Sequence, residues 1–155
     1  MMVKIAGHNF RRNTVEEVGK FAILWNKFEK DKCDNRCSTE KLRTMNSFVS
    51  SEHFQNLARV LKHRSELHDL DYGAYVRRGL SMGHGLNSDD MDLILAFMNS
   101  DGRDSLNGGL LAIYRIRNNM FHGLKEWTDL DNQIELFETM NNVLEEMLLC
   151  PKLKN

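Results

Sequence analysis

The 155-residue sequence holds a single proline, at position 151, so nothing in the body of the chain interrupts a long helix. Long apolar runs are missing, which excludes a membrane-spanning segment. The opening stretch MMVKIAGHNFRRN lacks the apolar core and small-residue cleavage site of a secretory signal, and the expected location is the cytoplasm. Net charge is also scarce: the formal value is -1, so bulk electrostatics do not coat this protein in nucleic acid, and any RNA contact needs a local basic patch.

Cysteine is rare as well, with three in the chain. Cys33 and Cys37 have a spacing that suits two metal ligands on one helical turn, but no nearby second Cys/His pair completes the four that structural zinc wants. The expectation is reduced thiols and no bound metal. The run HRSELH, residues 63 to 68, lacks the spacing of a zinc-protease helix. SMGHGLNSDD, residues 81 to 90, has neither the preceding strand nor the GKS/T ending of a phosphate-binding loop. No serine-nucleophile motif, internal repeat or low-complexity tract is present, and no cofactor is implied.

What the chain does have is helical periodicity. No alternating apolar run is long enough for a convincing strand, which predicts an all-α fold: one compact bundle of five to six helices over 13–150, with short tails at 1–12 and 151–155. A capping-box pattern at Thr14 and Glu17 starts a helix that runs to about Lys32, with Val15, Val18, Phe21, Ala22, Trp25 and Phe28 on one face. Further helices are predicted over 38–48, 51–63, 71–79, 89–99, 105–122 and 129–149. The helix at 89–99 is apolar on several sides and is expected to be central or to lie at an oligomer interface.

The segment YRIRNNMFHG, residues 114 to 123, carries the chemistry. At ~100° per residue, Leu110, Ile113, Tyr114, Ile116, Met120 and Phe121 form one apolar arc, and Arg117 falls inside it. A buried arginine needs a partner, a cleft or a subunit boundary. Glu29 is the other charge in an apolar stripe, at the middle of the first helix face, and is the expected partner of Arg117. His122 lies about 140° from Arg117 on an ideal helix, whereas Asn118 is nearly in line with His122 at the i, i+4 spacing. Gly123 ends the helix, so the side chain of His122 is placed to swing toward Arg117.

The Arg117, Asn118 and His122 pattern, Arg-Asn-x-x-x-His on a late helix, resembles the signature of the HEPN superfamily, the higher eukaryote and prokaryote nucleotide-binding domains. The aromatic opening helix FAILWNKFEK, residues 21 to 30, is similar to that of many members. The resemblance covers most of the chain in layout and about ten residues in specific motif. It implies a compact helical bundle that often dimerises, bringing two motifs to a shared cleft, and in many members metal-independent RNA cleavage. On that expectation His122 moves protons, Arg117 stabilises charge on phosphorus, and Asn118 orients the imidazole or contacts phosphate.

Arg77 and Arg78, together with Arg103, Arg115 and Lys125, are the candidate RNA contacts; Arg11, Arg12 and residues 62–64 are further basic clusters. Expected partners are RNA and a second copy of the chain. The alternative is a non-catalytic nucleotide-binding, scaffolding or antitoxin module, with Arg117 a structural ion and His122 a helix cap. A third reading is an accessory subunit modified by a nucleotidyltransferase, with Tyr114 as the acceptor.

Overall fold

The computed structural model describes residues 1–46, 48–67, 70–81, 86–121 and 127–149. Its elements are strands β1 (Met2–Ile5) and β2 (His8–Arg11), then helices α1 (Arg12–Lys32), α2 (Thr39–Thr44), α3 (Glu52–Leu67) and the short α4 (Tyr72–Ala74). A π-helical stretch (Tyr75–Ser81) continues α4; α5 (Ser88–Asn99), α6 (Leu106–Phe121), a 3-10 stretch (Trp127–Gln133) and α7 (Ile134–Leu149) complete it. The fold is a compact all-α helical domain with one small two-stranded sheet, and none of its described helices is long and apolar enough to cross a membrane.

Residues expected to form a tail instead build that sheet. β1 and β2 pair antiparallel with Val3 opposite Phe10 and Ile5 opposite His8. The two linking residues, Ala6 and Gly7, both have positive φ, 50° and 82°, the backbone of a turn whose twist matches a hairpin. Alanine rarely adopts that conformation; here the pairing of Ile5 with His8 on either side of the turn holds it. Phe10 is buried, and Asp131 accepts the Arg11 backbone N–H at 3.0 Å while Arg11 Nη2 donates to the Asp131 carbonyl at 2.7 Å. α1 starts at Arg12, two residues before the predicted cap; Thr14 is buried inside the helix rather than capping it.

The core is aromatic and continuous. Phe21 of α1 meets Phe137 of α7 edge-on at 5.6 Å, and Phe54 of α3 meets Phe97 of α5 at 6.4 Å. All four rings are buried, and each contributes about 1.5–3 kcal/mol over an exposed position. Ala22, expected on the buried face of α1, is exposed. α1 also packs on α7 through a polar contact: buried Asn141 donates to the backbone carbonyl of Glu17 at 3.0 Å and to its carboxylate at 2.7 Å.

α6 is the central helix. Leu110, Leu111, Ala112 and Ile113 are all buried in succession, so core surrounds it on every side. α5 lies against it at backbone distance, because Gly108 leaves room for the Leu93 carbonyl. The broad apolar surface of α5 is thereby largely consumed: Ile94, Phe97 and Met98 are buried, and Met91 and Leu93 are half-buried against the same core. Of the two expectations for this helix, central or at an oligomer interface, its packing against α6 makes it a core helix of the bundle. α5 begins on a capping box, Asn87 with Asp90, and Arg43 Nη1 donates to the buried Asp90 carboxylate at 2.6 Å.

Cys33 and Cys37, expected as free thiols, are joined by a disulfide. α1 ends at Lys32, and Asp34 and Asn35 then adopt left-handed backbone, φ 53° and 81°, which folds the chain back and sets the two Cα atoms 4.9 Å apart. Asp and Asn tolerate that conformation better than most residues. Both cysteines are buried.

Candidate functional site

Two helices that are distant in sequence build the site by running side by side for one turn. Trp25 of α1 and Tyr114 of α6 face each other with ring centroids 6.1 Å apart. One turn farther along each helix, Glu29 Oε1 lies 3.8 Å from Arg117 Nη2. The register that joins the aromatic pair therefore also joins the charges. At 3.8 Å the carboxylate and guanidinium form an ion pair without a direct hydrogen bond between those two atoms.

The ion pair is held on both sides. Glu29 Oε2 accepts the backbone N–H of Cys37 at 3.0 Å, and the Glu29 carbonyl accepts from the backbone N–H groups of Cys33 and Asn35. The disulfide loop thus closes over Glu29 and fixes its side chain. Arg117 Nη1 donates to Asn118 Oδ1 at 3.0 Å. Asn118 was expected to orient His122 or contact phosphate; its described contact is with the Arg117 guanidinium, and His122 lies outside the described residues. The Arg117 side chain remains 30% exposed and Glu29 16%, so the arginine is braced from below and still reaches solvent. Such an arginine can fork onto two oxygens of a phosphate.

His122 follows Phe121, the last residue of α6, and it lies outside the described residues, as does Lys125. Tyr114 is half-buried against Trp25. The remaining sequence-derived contacts separate. Arg77 and Arg78 are exposed on the π-helical stretch, and Arg103 is exposed in the turn between α5 and α6. Arg115 is corrected: it is buried at 5% exposure and is not an outward RNA contact. The side of α6 that carries Arg115 is buried, and desolvation lowers the Arg115 pKa from its ordinary value.

Other basic clusters are also engaged. Arg11 is tied to Asp131, and Arg64 Nε points to the Tyr75 hydroxyl at 3.4 Å. Sequence reasoning missed Arg59, which shares a groove with Lys62, His63 and Arg103. Its signal was present as a polar stripe on α3 (Gln55, Asn56, Arg59, Lys62, His63 and Glu66) at helical spacing. Among the described residues no group of three or more His, Cys, Asp or Glu side chains is arranged to hold a metal ion. Comparison with family models, with curated proteins and with solved structures finds no match to this chain.

Proposed function

We propose that this chain is a metal-independent endoribonuclease of the HEPN type, acting as a homodimer on RNA in the cytoplasm, as a toxin or defence effector. The observation that carries the reading is the half-exposed Arg117, braced by Glu29 and Asn118, five residues before His122. RNA brings its own nucleophile, the ribose 2′-hydroxyl. His122 takes the proton from that hydroxyl as it attacks phosphorus, and the 5′-oxygen leaves with a proton supplied by the second copy's histidine. Arg117 neutralises the charge that builds on the non-bridging oxygens. One imidazole does not serve as acid and base in the same step, which is why the reading requires two copies.

The second reading is a non-catalytic RNA-binding, nucleotide-binding or protein-interaction module, as in an antitoxin or an accessory subunit. What favours it is the same Glu29 contact, since a half-buried arginine with a carboxylate partner is also a structural ion. Incubating purified protein with total RNA in EDTA separates the two. Cleavage by wild type that is lost in folded, dimeric His122→Ala and Arg117→Ala variants supports the nuclease. Intact RNA with wild type, over several RNA classes and after any co-purifying inhibitor is removed, refutes it in favour of the module.

A further inference from the structure

A groove of about 530 Å³ lies between α3 and the turn joining α5 to α6, lined by Gln55, Asn56, Arg59, Lys62, His63, Glu66, Asp101 and Arg103. It is built rather than incidental. Asp101 and Gly102 have φ of 55° and 78°, which drives the turn down onto α3; a Cβ at Gly102 would lie 2.5 Å from the Phe54 carbonyl oxygen. That close approach sets Arg103 beside the polar stripe of α3. Lys62 is fixed from two sides, by Asp101 Oδ1 at 2.5 Å and by the Tyr72 ring, 5.5 Å from Nζ. Arg59 Nη2 donates to Asn56 Oδ1 at 2.9 Å, which sets the guanidinium along the stripe.

Asp101 neutralises Lys62, so the cations left to meet a ligand are Arg59 and Arg103, both exposed, against Glu66 at the far end of the stripe. Amide and guanidinium donors dominate the lining, which holds no Phe, Tyr or Trp; among the described residues that line it, the imidazole of His63 is the only ring. This is the chemistry of backbone recognition without base reading. Leu106 and Arg117 are eleven residues apart on α6, about 16 Å at the helical rise, so the groove sits toward the opposite end of that helix from the candidate site. That separation corresponds to a few nucleotides of extended chain.

We propose that the groove carrying Arg59 and Arg103 binds the phosphodiester backbone of single-stranded RNA, independently of sequence, as a second contact for the strand engaged at Arg117. The inference rests on the RNA reading above and adds the strand contact and its lack of base preference. The probe is a fluorescent 2′-O-methyl oligouridine, which cannot supply the nucleophile, and anisotropy is read over a salt series. Each phosphate contact on a single strand contributes about 0.7 to the slope of log affinity against log salt, so Arg59→Gln with Arg103→Gln lowers the slope by about 1.4. That is roughly a tenfold loss at physiological salt, whereas Arg59→Lys with Arg103→Lys retains the slope because the cations remain.

Lys4→Gln with Lys27→Gln removes two exposed charges elsewhere and controls for net charge. The expected result is a slope change confined to the groove pair, and the same loss with an oligoadenosine probe. An unchanged slope in the groove pair, or an equal change in the control pair, overturns the groove while leaving RNA cleavage by wild type to stand. A wild type that cleaves RNA but fails to bind the probe overturns the groove alone. A wild type that neither cleaves nor binds overturns the groove and the nuclease reading together.

Discussion

Gly108→Ala and Gly19→Ala are the same chemical change in two helices and are expected to act in opposite directions. A Cβ on Gly108 would sit 2.0 Å from the Leu93 carbonyl oxygen and 2.8 Å from the Ile94 nitrogen, both of them main chain of α5. Main chain cannot rotate out of the way as a side chain can. Restoring an ordinary contact of 3.4 Å requires α5 to retreat by about 1.4 Å, opening the layer that holds Ile94, Phe97 and Leu110. Overpacking of this kind costs about 1–3 kcal/mol and more where backbone is struck, and the helix propensity gained by alanine offsets about 1 kcal/mol of that.

The net for Gly108→Ala is a destabilisation of about 2 kcal/mol, a fall in Tm of roughly 4–8 °C for a domain of this size. Gly19 has nothing within 4 Å of its Cβ direction and lies on the exposed side of α1. Gly19→Ala should therefore gain about 0.5–1 kcal/mol and raise Tm by about 1–4 °C. Urea and thermal denaturation followed by circular dichroism measure both. A Gly108→Ala protein as stable as wild type would refute the close crossing of α5 and α6, and a destabilised Gly19→Ala would refute the open face of α1.

Three further expectations follow from named contacts. Asn107 Nδ2 donates to the carbonyls of Leu42 at 2.7 Å and Met45 at 2.5 Å, so Asn107→Ala strands two acceptors at the end of α2 and should cost about 2 kcal/mol in urea. Reducing the Cys33–Cys37 bond frees a loop whose closure accounts for about 2 kcal/mol in the chain-entropy view, so Tm should fall in dithiothreitol; a Tm indifferent to reductant would remove the bond from the account. The hydrogen bond and charge of Lys62 hold the Asp101 carboxyl below its usual value. Because the folded pKa is depressed, that stabilisation is present above the unfolded value near ~3.9 and is lost as pH falls through the folded one. Asp101→Asn, which tolerates the same left-handed backbone, should thus lower Tm at neutral pH and match wild type in strong acid; a gap that persists there contradicts the pairing.

The order of the helices was legible because apolar spacing survives in α1, α3, α5, α6 and α7, each ending within a few residues of its expected boundary. The meeting of Glu29 and Arg117 was legible for a related reason: each is the lone charge in an apolar stripe, and two such stripes facing inward leave few other partners. Arg115 misled because a charged residue reads as surface until the enclosure of α6 is known, and enclosure is a property of the packed assembly. The hairpin hid because Ala6–Gly7 is a poor turn signal, and its stability comes from Phe10 and Asp131, one buried and the other distant in sequence. The disulfide required two left-handed residues that no spacing rule announces. Arg59 and Arg103 became neighbours only through the Gly102 turn.

The partnership of α1 with α7 fixes the order in which this protein can complete itself. Phe21 waits for Phe137, and the Glu17 carbonyl waits for Asn141, across more than one hundred intervening residues. On a ribosome adding about 5–20 residues per second, the apolar face of α1 is made many seconds before its cover exists. During that interval the α3, α5 and α6 layer can form from its own nearer contacts, while α1 remains a helix with an unsatisfied side. Chaperone occupancy of the nascent chain should therefore centre on α1 and end when α7 emerges.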